Sequence, residues 1–168
     1  MKNFALLLLA LCFTVAAQAQ APQPKAVPLA KVRIGGGFPV PGRLAGKELT
    51  VTTRGLVKVI EYWHPNEFGS GQPMKKKTYD LPKLNMDDLL RLHILAAALR
   101  ESGLVAPTGP GCTDAPNIEY SAFLDGKKLV IYKIAECRHL PLKEIKLRST
   151  AESIRKMLDK LLKKSERQ

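Results

Sequence analysis

Apolar and polar positions alternate most clearly from Asn117 to Leu124, where Ile118, Tyr120, Ala122 and Leu124 share one side. Asp125-Gly126 follows, and Lys127 to Ala135 (KKLVIYKIA) resumes an apolar, β-branched run. Asp-Gly between two such runs predicts a two-residue hairpin, because both residues tolerate the positive φ that the turn requires. A second alternating pair lies upstream. Glu48 to Thr53 sets Leu49, Val51 and Thr53 against more polar neighbours, Leu56 to Trp63 (LVKVIEYW) is β-branched and aromatic, and Arg54-Gly55 separates them as a turn. Thr78 to Leu81 adds a short strand.

Two segments carry the helical period instead. Asn85 to Ser102 has Asn85 as its cap, Asp87 and Asp88 in the first turn and Gly103 just past the end. Leu89, Leu92, Ala96 and Leu99 form one stripe, and Leu90, Ile94 and Ala97 a neighbouring one. So wide an apolar face predicts a helix pressed into the core. The second helix is expected from about Thr150 to Lys164, opened by a capping box of Ser149 and Glu152. Ile154, Met157, Leu158, Leu161 and Leu162 make its apolar stripe, and Lys156, Lys160, Lys163 and Lys164 lie away from that stripe. Strand pairs and helices without β-α-β alternation predict an α+β fold, an antiparallel sheet of about four to five strands with two helices packed on one face. Of the stretches between, Lys31 to Lys47, which holds Gly35-Gly36-Gly37, is expected to be a loop or a strand edge with close backbone approach, and His64 to Lys77, which holds two prolines and two glycines, an exposed loop.

The N-terminus changes the compartment. Lys2 is followed by an apolar run from Phe4 to Ala17 and by Ala17-Gln18-Ala19, a small-x-small cleavage pattern. Residues 1–19 are therefore expected to be a signal peptide, residues 20–30 a Pro-rich leader and residues 31–168 a single domain, in a protein that is periplasmic or secreted. The h-region is shorter than the roughly 20 residues of a spanning helix, and no later stretch approaches that length, so no transmembrane segment is expected after cleavage. Cys12 leaves with the signal. Cys112 and Cys137 remain, an even pair in an oxidising compartment. With Leu124 facing Lys127, Cys137 falls opposite Asp114, two residues from Cys112, which brings the pair within reach of a disulfide at the open end of the hairpin. Closing a loop of about 25 residues contributes about 3 kcal/mol in the chain-entropy account.

Charge is the strongest functional lead. The chain holds 27 Lys+Arg against 15 Asp+Glu. Loss of Lys2 with the leader leaves 26 against 15, a net charge of +11 over 149 residues. Such an excess favours anionic partners. Lys75, Lys76 and Lys77 form one cluster, and Phe38, Trp63, His64 and Phe68 are further candidate contact residues. Specific nucleic-acid readout is not expected, since no known motif or interleaved aromatic pattern is present.

Catalytic patterns are missing. There is no G-x-S-x-G, H-E-x-x-H or phosphate-binding glycine motif. His64, His93 and His139 have no metal-ligand spacing, so neither metal nor cofactor is expected. Glu136-Cys137-Arg138-His139 places a thiol near an imidazole, but an i, i+2 contact does not build a triad and Cys137 has a disulfide partner. His93 lies among leucines as a core or boundary residue, and Asp87-Asp88 reads as a helix start rather than a metal site.

Gly36-Gly37-Phe38, Leu49 to Val59, Ile118 to Ile134 and Ile154 to Leu162 follow one another in an order that resembles the emfourin family of small bacterial metalloprotease inhibitors. The resemblance implies an inhibitor of a secreted protease and assigns no inhibitory residue. The expected function is thus an exported, non-enzymatic binding protein, with a secreted protease or another protein as partner. The alternative is a basic envelope-associated protein that binds an anionic polymer such as lipopolysaccharide or an acidic glycan.

Overall fold

The computed structural model describes residues 26–36, 40–67, 71–100, 116–135, 138–140 and 145–167. They form an α+β fold. The strands are β1 (Pro28–Gly36), β2 (Leu44–Thr52), β3 (Val57–Trp63), β4 (Lys75–Leu81), β5 (Pro116–Leu124), β6 (Lys127–Ala135) and the three-residue β7 (Arg138–Leu140). The helices are α1 (Met86–Arg100), between β4 and β5, and α2 (Ile145–Ser165), after β7. All strands join one antiparallel sheet in the order β4-β3-β2-β1-β5-β6-β7. β4 and β5 run in the same direction with three strands between them, and α1 makes the crossover. Both helices pack on the same face and against each other.

Period-2 registration explains which residues meet the helices. The row Tyr79, Val59, Leu49, Val32, Tyr120 and Tyr132 crosses six strands on the helical side, and Leu81, Val57, Val51, Ala30 and Ala122 form the next row. Leu89, Leu92, Ala96 and Leu99 of α1 and Ile154, Leu158, Leu161 and Leu162 of α2 close the core over them. The opposite face is mixed: Lys31 pairs with Glu48 at 2.7 Å, and Ile60 and Thr78 flank that row.

The sheet has more strands than the four to five expected. The addition with the largest effect is β1. It begins at Pro28, within the stretch expected to be leader, and fills the centre of the sheet where a glycine-rich loop or strand edge was expected. Its alternation is short: Ala30 and Val32 are fully buried, while Lys31 and Arg33 face the other way. The close approach between β1 and β2 falls on a glycine of β2. Gly35 faces Gly46 of β2, and a Cβ on Gly46 would lie 2.7 Å from the Ile34 carbonyl oxygen. β4 likewise starts three residues early, so Lys75, Lys76 and Lys77 stand on an edge strand rather than in a loop.

The Asp125-Gly126 turn forms as expected, with φ of 50° and 76°. Leu124 faces Lys127, and the expected register holds as far as Ser121 with Val130. β6 then carries an extra residue, Ile131, so Tyr120 faces Tyr132 and every later pair is displaced by one. The bulge lets the neighbours Ile131 and Tyr132 both be buried. Cys112 and Cys137, with the disulfide expected of them, lie outside the described residues.

The helices differ from expectation in instructive ways. Asn85 caps α1 as expected, its Oδ1 accepting from the Asp88 amide at 2.7 Å. Only one of the two apolar stripes on α1 is buried, however. Leu90 and Ile94 stand 58% and 61% exposed, because α1 has the sheet on one side and α2 on another and nothing among the described residues over its outer face. α2 begins at Ile145, so Ser149 lies inside the helix and forms no capping box. Its carbonyl accepts from Ser153 Oγ at 2.9 Å, and Glu152 is held by Arg155 at 2.7 Å.

Candidate functional site

Two polar clusters beneath α2 fix that helix to the sheet. At its C-terminal end, Lys47 of β2 and Glu61 of β3 occupy inward positions that their neighbours fill with Leu49, Val51, Val57 and Val59. Lys47 Nζ lies 3.1 Å from Glu61 Oε1 and donates to Ser165 Oγ at 3.3 Å. Tyr79 OH donates to the same Glu61 oxygen at 2.9 Å. Ser165 Oγ in turn donates to the Leu162 carbonyl at 2.6 Å. Burial opposes ionisation of Glu61, but the hydrogen bonds from Lys47 and Tyr79 and the charges of Lys47 and Lys77 outweigh it and hold the carboxyl below its ordinary range. The same burial, with the bond to Glu61, raises Tyr79 above the ordinary phenol range. A serine beside a lysine suggests a nucleophile and its base. Here the serine is 3% exposed and gives its proton to a main-chain carbonyl, and the lysine is neutralised by a carboxylate, so the cluster is built to hold position.

Near mid-helix, Tyr120 OH donates to Asp159 Oδ1 at 2.6 Å, and the Arg155 guanidinium lies 5.1 Å from the centre of the Tyr132 ring. Burial and the Asp159 carboxylate together push the Tyr120 phenol far up. Arg155 is stabilised as a cation chiefly by its bond to Glu152. Sequence reading missed both clusters. The available signal was an opposite-charge pair at inward positions of adjacent strands, Lys47 and Glu61, but Lys47 ended a stretch read as loop or strand edge, before the Glu48 strand.

With its acids turned inward, α2 presents bases outward. Lys156, Lys160, Lys163, Lys164 and Arg167 are all exposed and spaced i, i+4, i+7, i+8 and i+11, which puts them on one side over three turns, about 16 Å of axis. A groove of about 370 Å³ separates this ridge from α1. Leu84, Met157 and Leu161 line its apolar side, Arg91 stands on the α1 rim opposite Lys156, Lys160 and Lys164, and Asp88 is the one acid in the lining. A shallower hollow beside it is lined by Lys156, Asp159, Lys160, Lys163, Lys164 and Arg167.

The contact residues expected from sequence are placed differently. Trp63 and Lys75 are register partners at the end of β3 and β4 where the chain passes from one strand to the other, and Trp63 is half-buried. Lys76 lies over the Tyr62 ring and Lys77 over the Tyr79 ring, at 5.7 and 5.3 Å, on opposite faces of the sheet. His64 is half-buried, and its amide donates to the Arg43 carbonyl at 2.9 Å. Phe38 and Phe68 lie outside the described residues, as does Gly37 of the Gly-Gly-Phe segment. His93 sits at the core boundary, its Nε2 donating to the Thr53 carbonyl at 3.2 Å, which ties α1 to the β2–β3 turn. Among the described residues no group of three or more His, Cys, Asp or Glu is placed to hold a metal ion, and no helix is long and apolar enough to cross a membrane. No protein-family model, curated protein or solved structure matches the chain.

Proposed function

We propose that this chain is an exported, non-enzymatic binding protein held by charge to an anionic polymer of the cell envelope, such as lipopolysaccharide or an acidic glycan. The observation that carries this reading is the α2 ridge: four exposed lysines on one helical face with exposed Arg167 just past its end, facing Arg91 across a groove. Successive turns repeat about every 5.4 Å, so a linear polyanion laid along the helix meets a cation at each turn. Of the nearby acids, Asp159 and Glu152 are engaged by Tyr120 and Arg155, and the exposed Glu166 is outnumbered by the five cations around it. The buried Lys47–Glu61–Tyr79–Ser165 cluster anchors the helix end that carries Lys163, Lys164 and Arg167, so the ridge is presented on a rigid support.

Retention on immobilised heparin, as a generic polyanion, tests it. The wild-type protein is expected to elute at a salt concentration well above that of the triple variant Lys156→Ala/Lys160→Ala/Lys164→Ala, with a steeper salt dependence through counterion release. Equal elution of the two proteins, at equal thermal stability, rejects the ridge as the binding surface.

A further inference from the structure

The outward side of α1 is as apolar as that of α2 is basic. Met86, Leu90, Ile94 and Ala97 are exposed at i, i+4, i+8 and i+11, one continuous stripe; Met86 is 75% exposed. The stripe lies opposite Leu89, Leu92, Ala96 and Leu99, which face the sheet, and so it points away from the sheet, as the α2 lysines do. The two helices pack side by side on one sheet face. One surface of the protein therefore carries an exposed apolar rib on one helix and a ridge of cations on the other, with the groove between the two helices.

We propose that this surface docks on an anionic lipid bilayer, the α2 cations meeting headgroup phosphates while Leu90, Ile94 and Met86 enter the headgroup–acyl boundary. Interfacial helices bind by the sum of buried apolar area and attraction to anionic lipid, and this surface supplies both terms on adjacent helices instead of on two faces of one. The charge decides between occupants. A second copy of the chain would set two such cationic ridges near each other, whereas a surface of phosphates neutralises them. Asp87 and Asp88 lie at the N-terminal end of α1 beside the rib, and the four ridge lysines of α2 together with Arg167 and Arg91 outnumber them. The proposal rests on the polyanion reading, since the same ridge makes the headgroup contact, and adds to it the apolar rib.

The experiment is vesicle co-sedimentation, with phosphatidylcholine vesicles and with phosphatidylcholine vesicles containing phosphatidylglycerol. The protein is purified as the cell delivers it, its N-terminus is read by mass spectrometry, and wild type and variants are compared in that same form. Wild type is expected to sediment with the anionic vesicles only. Leu90→Gln/Ile94→Gln, which leaves the buried stripe intact, is expected to lose about tenfold in vesicle affinity with heparin retention and melting temperature unchanged. Undiminished vesicle binding by that variant overturns the apolar contact. Heparin retention without vesicle binding by the wild type overturns the bilayer proposal and leaves the polymer reading standing; failure on both removes both. A concentration-dependent dimer that the double variant abolishes, with vesicle binding unaltered, assigns the rib to a second copy and overturns the proposal.

Discussion

Lys47 and Glu61 face each other across β2 and β3 with Nζ and Oε1 3.1 Å apart, and each is less than a tenth exposed. They take up core positions in two strands whose other inward residues are Leu and Val. Such a pair is poor value as bulk stabilisation, because desolvating both charges offsets most of their attraction, yet removing one partner strands the other. Its evident result is placement: Lys47 reaches Ser165 and Tyr79 reaches the Ser165 carbonyl, so the end of α2 has one seat on the sheet.

Glu61→Ala is expected to destabilise the fold by about 3 kcal/mol, since Lys47 is left buried without its carboxylate. Lys47→Met/Glu61→Leu is expected to lose much less. Urea denaturation of the three proteins checks both; equal losses for the single and double variants contradict an uncompensated-charge origin.

Stability at low pH follows from the same carboxyl. Glu61 is held below its ordinary value of 4.5 in the folded protein, so its contribution is fully present above about pH 4.5 and is lost as pH falls through the lower folded value. Glu61→Gln is expected to flatten that part of the stability–pH curve, followed by urea midpoint from neutral pH downward. An unchanged acid slope would sink this assignment.

The alkaline side belongs to tyrosines. Tyr120 and Tyr79 both have folded values raised above the ordinary 10, so the folded state holds its phenol protons longer than the unfolded chain does. Their contribution is complete below about pH 10 and is lost as pH rises through the folded values. Tyr120→Phe is expected to cost about 2 kcal/mol near neutrality through loss of the bond to ionised Asp159. It is also expected to make the alkaline decline shallower, leaving the part due to Tyr79. Thermal melts across the alkaline range read both effects.

Gly46→Ala tests the close approach of β1 to β2. Its Cβ would meet the Ile34 carbonyl oxygen at 2.7 Å, and main chain cannot swing aside as a side-chain end does. A loss of about 1–3 kcal/mol is expected from overpacking. Gly35→Ala, whose Cβ meets nothing within 4 Å, is expected to cost clearly less in the same urea titration.

Much of the fold was legible because local chemistry dictates it. Asp125-Gly126 marks its own turn, Asn85 its own helix cap, and the Leu49–Val51 and Ile118–Leu124 alternations their own inward faces. The ridge on α2 was legible for the same reason: a helical period sorts Lys156, Lys160, Lys163 and Lys164 from Ile154, Leu158 and Leu161 without any knowledge of what lies opposite. β1 was not. Its buried alternation is two residues long, its own glycines look like loop in isolation, and the close approach it makes is accommodated by Gly46 on the strand next to it.

By itself, then, the amino-acid order determined the strand turns, the helix periods, the charge excess and the α+β class, since each depends on neighbours within a few residues. Only the tertiary structure decided which of two equally apolar stripes on α1 is buried, where α2 begins, that Ile131 is an extra residue in β6 and that Lys47 meets Glu61. Each of those depends on which surface another part of the chain reaches first. A helix apolar on two sides has no local preference between them, and the sheet, fixed by backbone hydrogen bonds across seven strands, makes the choice.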